Sequence, residues 1–152
     1  MIPQFYLFNL QLQPMETKIT VHALINAPVE KVWDAYTKPE HITKWNYASS
    51  DWHSPSAVND LRPGGKFIFR MESKDGSQGF DFSGTYTAVT THSLIAYTID
   101  DDRKATVSFV NKDGKTEVTV TFEAEDKNTI ELQQSGWQAI LDNFKAYTEK
   151  GS

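Results

Sequence analysis

Cysteine is absent from this chain, which excludes disulfides, thiolate metal sites and cysteine nucleophiles together. The same absence suits a reducing compartment, and a cytoplasmic location is expected. Histidine is scarce. His22, His41, His53 and His92 are the four present, and none falls at a metal-ligand spacing such as H-x-x-x-H, so no metal site is expected. Positive charge is short as well: 15 basic residues face 20 acidic ones, a net charge of −5, with no basic cluster longer than two residues. That balance leaves no electrostatic case for nucleic acid or an anionic membrane surface. No apolar run approaches the length of a membrane span. No G-x-S-x-G elbow, P-loop or dinucleotide fingerprint occurs, and Gly64-Gly65 lacks the strand-to-helix context these need. No cofactor and no catalytic residue are therefore assigned.

The N-terminal apolar patch Phe5-Tyr6-Leu7-Phe8 has neither a basic flank nor a cleavage site, and Asn9, Gln11 and Gln13 interrupt the stretch. Residues 1–14 read as an N-terminal extension ahead of a native start at Met15, and 15–152 as a single domain. The 152 residues suffice for a real core, and no repeat or linker divides them.

Aromatic residues are plentiful: nine Phe, six Tyr and four Trp, 12% of the chain. Aromatics favour strands, and they also line apolar pockets. The patterning supports a β-rich fold. Ile19, Val21, Ala23 and Ile25 alternate with polar residues as a first strand over about 17–26. The period then changes. Pro28, Glu30 and the face Val29, Val32, Trp33 and Tyr36 predict a short helix, and Lys38-Pro39 opens another through Ile42 to Trp45. Residues 46–60 read as irregular. Arg62-Pro63-Gly64-Gly65 is a turn, and Asp75-Gly76 and Asp113-Gly114 are hairpin signals. About six antiparallel strands are expected, with Phe67, Phe69 and Met71 opposite Ile68, Arg70 and Glu72, and with Phe80, Phe82 and Tyr86 sharing a face.

The C-terminal stretch carries the one long helical pattern, with Ile130, Trp137, Ile140, Leu141, Phe144 and Tyr147 on one face. Gln133 and Gln134 fall within this stripe. Asn128 followed by Glu131 has capping-box spacing. Gly136 inside the helix costs about 1 kcal/mol relative to alanine, and a close approach to a strand or simple tolerance would explain it. A lone amphipathic helix after a long antiparallel run must bury its stripe against the sheet. If the sheet is strongly curved, a cavity opens between the two.

Several strings carry a family resemblance: Ala27-Pro28-Val29-Glu30-Lys31-Val32-Trp33, Pro39-Glu40-His41 through Lys44-Trp45, Asp60-Leu61-Arg62-Pro63-Gly64-Gly65-Lys66-Phe67, the strand from Gly79 to Gly84, and Gly136-Trp137 with Leu141 and Phe144. Together they resemble the activator of heat-shock-protein-90 ATPase homologue-like family, within the START/birch-pollen-allergen superfamily of polyketide cyclase/dehydrase and lipid-transport proteins. The resemblance covers about 15–150. It implies an α+β helix-grip fold: a curved antiparallel sheet wrapped around a long C-terminal helix, with two short helices after strand one. It does not imply one activity, because members bind lipids, hormones or polyketides and some are enzymes.

The expected role is binding of a small, largely apolar ligand between sheet and helix. The candidate ligand-binding residues are Trp33, Trp45, Phe67, Phe69, Phe80, Phe82, Tyr97, Phe109, Gln134, Trp137 and Leu141, with Gln134, Tyr97 and Arg70 as orienting polar groups. Two alternatives stay open. One is a chaperone-associated interaction module. The other is a cyclase/dehydratase- or hydrolase-like enzyme, which would need Glu72 or Asp81 buried beside the cavity, or His53 at its mouth, oriented by Asp51. His22 and His41 are expected to be exposed. A monomer or a homodimer fits equally.

Overall fold

Alternation is complete in the first strand, β1 (Lys18–Ile25), where every second side chain is buried. Two short helices follow, α1 (Val29–Thr37) and α2 (Pro39–Trp45), the latter with proline at its first position. The computed structural model describes residues 17–150, so the expected extension over 1–14 lies outside the described residues. Five long strands form the body of the sheet: β4 (Lys66–Ser73), β5 (Gly79–Thr90), β6 (Leu94–Ile99), β7 (Lys104–Lys112) and β8 (Lys115–Glu123). The stretch expected to be irregular contains two short strands, β2 (Trp52–His53) and β3 (Ala57–Asn59), both paired to β4. They act as one interrupted edge strand, too short and too polar for an alternation signal. The chain closes with α3 (Ile130–Glu149).

All strand pairs are antiparallel, in the order β1-β8-β7-β6-β5-β4-β2 with β3 beside β4. The result is a curled half-barrel sheet with the helices on its concave side, an α+β helix-grip-like fold. Turn chemistry fits the sequence: Asp113 and Gly114 both take positive φ (54° and 83°), which a two-residue hairpin of the twisted type requires. A register shift between Tyr86 and Ala88 adds local bend to β5. Gly84 has a steric reason to be glycine, since a Cβ there would come within 2.9 Å of the Phe67 ring.

The core runs from Ile19, Val21 and Ile25 through Val107, Val118 and Phe122 to Phe144 of α3. Trp33 and Phe109 belong to this core: their rings meet edge-on at 5.1 Å. Helix α3 lies along β1, the free edge of the sheet. Gln138 Nε2 donates to the His22 carbonyl at 3.1 Å, Lys145 Nζ to the Leu24 carbonyl at 2.6 Å, and the Asn26 amide donates to Glu149 at 2.7 Å. These bonds occupy edge groups that a strand otherwise leaves unpaired. They also hold the helix to one side, so the concave face of β4–β6 is only partly covered.

Three expectations about local structure need correction. The cap of α3 is Thr129, whose hydroxyl accepts from the Leu132 amide, and not Asn128; Asn128 instead bonds Glu125 within the preceding loop. Ile130 is exposed and does not extend the buried stripe. His41 is half-buried, with Nδ1 2.6 Å from the Tyr147 hydroxyl, because α2 packs against α3.

Candidate functional site

A cavity of about 350 Å³ lies between α3 and the uncovered part of the concave face. Strand alternation builds one wall: Phe67, Phe69 and Met71 of β4 and Phe80, Phe82 and Tyr86 of β5 point inward, with Phe69 paired to Phe82 and Met71 to Phe80. Tyr97 of β6 and Val120 of β8 continue it. Trp137, Ile140 and Leu141 of α3 form the opposite wall, and Tyr36, Trp45 and Asn46 from the short helices close one end. Phe80 and Leu132 line the cavity yet are 50% and 60% exposed, which marks its mouth between β5 and the start of α3.

Of the candidate residues, Trp45, Phe67, Phe69, Phe80, Phe82, Tyr97, Trp137 and Leu141 line this cavity. Trp33 and Phe109 do not. They pack on each other behind Tyr36, whose ring stands edge-on to Phe109 at 5.5 Å. Gln134 is exposed and off the cavity, whereas Gln133 is the buried one. Gln133 is wholly engaged: its Nε2 donates to the Glu125 and Asn128 carbonyls, and its Oε1 accepts from the Glu125 amide. It ties the β8–α3 loop to the helix.

Arg70 alternates with the inward residues of β4 and so faces outward. There its guanidinium reaches Glu72 at 2.9 Å and Asp81 at 3.4 Å. His53 joins this outer network, 3.8 Å from Glu72, while Asp51 accepts from Ser49 and does not orient the imidazole. Arg70, Glu72, Asp81 and His53 are thus a solvated charge pattern outside the cavity wall.

Apart from Tyr97, the polar groups that reach the cavity are not among the residues the sequence singles out for ligand binding. Tyr86 donates to Asn59 Oδ1 at 2.5 Å, and Asn59 Nδ2 donates to the Thr37 carbonyl at 2.7 Å. Tyr36 and Tyr97 complete a group of three tyrosines around one part of the void. Burial pushes all three hydroxyls well above the ordinary phenol range, and their mutual proximity adds to the rise for Tyr86 and Tyr97. They are neutral donors throughout the physiological range. A signal for Tyr86 existed, since alternation puts it on the face of Phe80 and Phe82. Asn46 and Asn59 carried none, because loop residues have no period.

At the mouth, Arg103 directs Nε to Asp101 at 2.9 Å and Nη1 to the Glu123 carbonyl at 3.3 Å. Glu125 accepts from the Lys127 and Asn128 amides, which hold its carboxyl below its ordinary value. Among the described residues, no group of His, Asp and Glu could hold a metal ion, and no helix is long and apolar enough to cross a membrane.

A family model described as Activator of Hsp90 ATPase homolog 1-like protein matches residues 26–149. An AHSA1-like protein from Aeromonas hydrophila is 46% identical, with a TM-score of 0.84 over 88% of this chain and 93% of that one. A protein from Cytophaga hutchinsonii is 50% identical, with a TM-score of 0.77 over 88% and 92%. A protein from Nitrosomonas europaea, at 20% identity and a TM-score of 0.76 over 90% and 97%, shares the fold. No curated protein matches the chain.

Proposed function

We propose that this chain, which belongs to the Activator of Hsp90 ATPase homolog 1-like family, holds a small, largely apolar molecule between α3 and the concave face of its sheet. The observation that carries the reading is the void itself. Protein interiors close-pack, and an apolar space of about 350 Å³ that stays open forfeits contacts which side chains could otherwise make. Its aromatic walls with a few convergent polar groups are the usual chemistry of small-molecule sites. Each 100 Å² of apolar ligand surface removed from water supplies roughly 2.5 kcal/mol, before the cost of association.

Acid–base turnover has little support, because Glu72, Asp81 and His53 sit on the outer face. A chaperone-directed interaction module would use a surface outside the cavity and is the alternative outcome of the test. Native mass spectrometry of the purified protein, followed by extraction of retained molecules, is that test. A reproducible apolar adduct is expected. If the protein is always free of adducts and also binds no apolar compound in titrations, while it captures the chaperone, the interaction module replaces this reading.

A further inference from the structure

We propose that the cavity selects uncharged ligands bearing a hydrogen-bond acceptor oxygen, which Tyr36 and Tyr97 read with their hydroxyls while the apolar remainder lies against Trp137 and Phe82. This rests on the ligand-binding reading and specifies its chemistry.

The hydroxyls of Tyr36, Tyr86 and Tyr97 differ in what they already hold. That of Tyr86 is committed to Asn59. Those of Tyr36 and Tyr97 have no hydrogen-bond partner among the described residues, nor does the side-chain amide of Asn46. Tyr97 and Asn46 are each only 8% exposed. No buried side-chain polar atom among the described residues is sealed away without a partner. The unpartnered hydroxyls of these cavity-lining residues therefore keep access to water, and a ligand atom in the cavity can take that water's place. Leaving such a donor unmet in the bound state costs about 1–3 kcal/mol, so a ligand that displaces the water without replacing its bond is penalised.

Charge excludes the ionic alternatives. Arg103, the cationic lining residue, already serves Asp101 and the Glu123 carbonyl, and Glu125 is spent on the loop amides. A carboxylate or ammonium drawn into the aromatic interior would lose its hydration with no free counter-charge. The tyrosines stay protonated and donate, because burial raises both hydroxyls far above neutrality. A ketone, ester, lactone or amide oxygen meets these conditions. The modest volume favours a compact molecule over a long acyl chain.

Three probes of one ring system separate the contributions: 2-acetylnaphthalene, 2-naphthoate and 2-ethylnaphthalene, titrated into the full chain and followed by NMR. The ketone is expected to bind tightest. Tyr97→Phe and Tyr36→Phe should each weaken the ketone about 3- to 10-fold, while the hydrocarbon should bind as well or more tightly, because the donor it leaves unmet is gone. Unfolding curves on both variants confirm that each remains folded, since the ring contacts are kept. Equal binding of ketone and hydrocarbon, untouched by either substitution, would overturn the acceptor reading and leave the apolar cavity standing. Preference for 2-naphthoate would overturn it in favour of an anion at Arg103. Failure of all three to bind would overturn the cavity reading, and this inference with it.

Discussion

The Trp137 indole lies flat on the ring of Phe122, with centroids 3.8 Å apart and planes 11° apart. The same indole meets Phe82 nearly perpendicularly at 5.8 Å. One side chain of α3 thus touches β8 on one side and β5 on the other, and forms the cavity wall between them. Trp137→Ala should cost roughly 2–4 kcal/mol, at the lower part of the range for aromatic truncation because Trp137 is only part-buried. The fold should persist while affinity for an apolar ligand falls at least about tenfold, several contacts being lost at once. Urea unfolding together with an NMR titration reads both, and unchanged affinity would remove Trp137 from the site.

Gly136 lines the cavity, and a Cβ built on it meets nothing within 4 Å. Neither close approach to a strand nor strain explains the glycine; it leaves room in the wall. Gly136→Ala should therefore stabilise the protein by about 0.5–1 kcal/mol through helix propensity alone. Gly136→Leu should keep the fold and abolish binding by filling the space. A thermal melt and a ligand titration on the two variants check this, and strong destabilisation by alanine would show hidden crowding.

Gln133 makes three hydrogen bonds to the loop that leads into α3. Gln133→Ala removes all three bonds but leaves their loop partners within reach of water, and should cost about 1–2 kcal/mol. Faster amide exchange confined to 124–133 is the expected local signature. Gln134→Ala, on the exposed side, should change stability by less than about 0.5 kcal/mol. Equal effects from the two glutamines would contradict their placement.

In the β4–β5 turn, the Ser77 hydroxyl and amide and the Ser73 hydroxyl donate to Asp75 and lower its pKa to about 2. A depressed carboxyl contributes stability above its unfolded value near 4, and loses that contribution as pH falls from about 4 towards 2. The side-chain carbon of Asp75 should titrate with a midpoint near 2 by NMR. Asp75→Asn should remove the corresponding acid sensitivity of the hairpin. A midpoint near 4 would mean that the three bonds are not held in solution.

Much of the fold was legible because it rests on local signals. Alternation in β1 and β4–β8, the Asp75-Gly76 and Asp113-Gly114 turns, and the single long helical stripe specify an antiparallel meander closed by a helix. The short edge strands give no such signal, because two or three residues carry no period. Thr129 displaced Asn128 as cap because both side chains suit the role, and the Gln133 bonds to the loop set where the helix begins.

The site divides along the same line. By itself the sequence determined which residues share a face, so Phe67 with Phe69 and Phe80 with Phe82 followed from a period of two. It could not say which face is concave, because curvature arises from twist, the bulge at Tyr86 and the docking of α3 along β1. Tertiary structure therefore decided that Arg70 and Glu72 meet solvent, that Gln133 turns in while Gln134 turns out, and that Trp33 and Phe109 fill the core behind Tyr36. It also brought Tyr36, Tyr86 and Tyr97 from three separate elements to one cavity, a convergence set by long-range packing that no local pattern encodes.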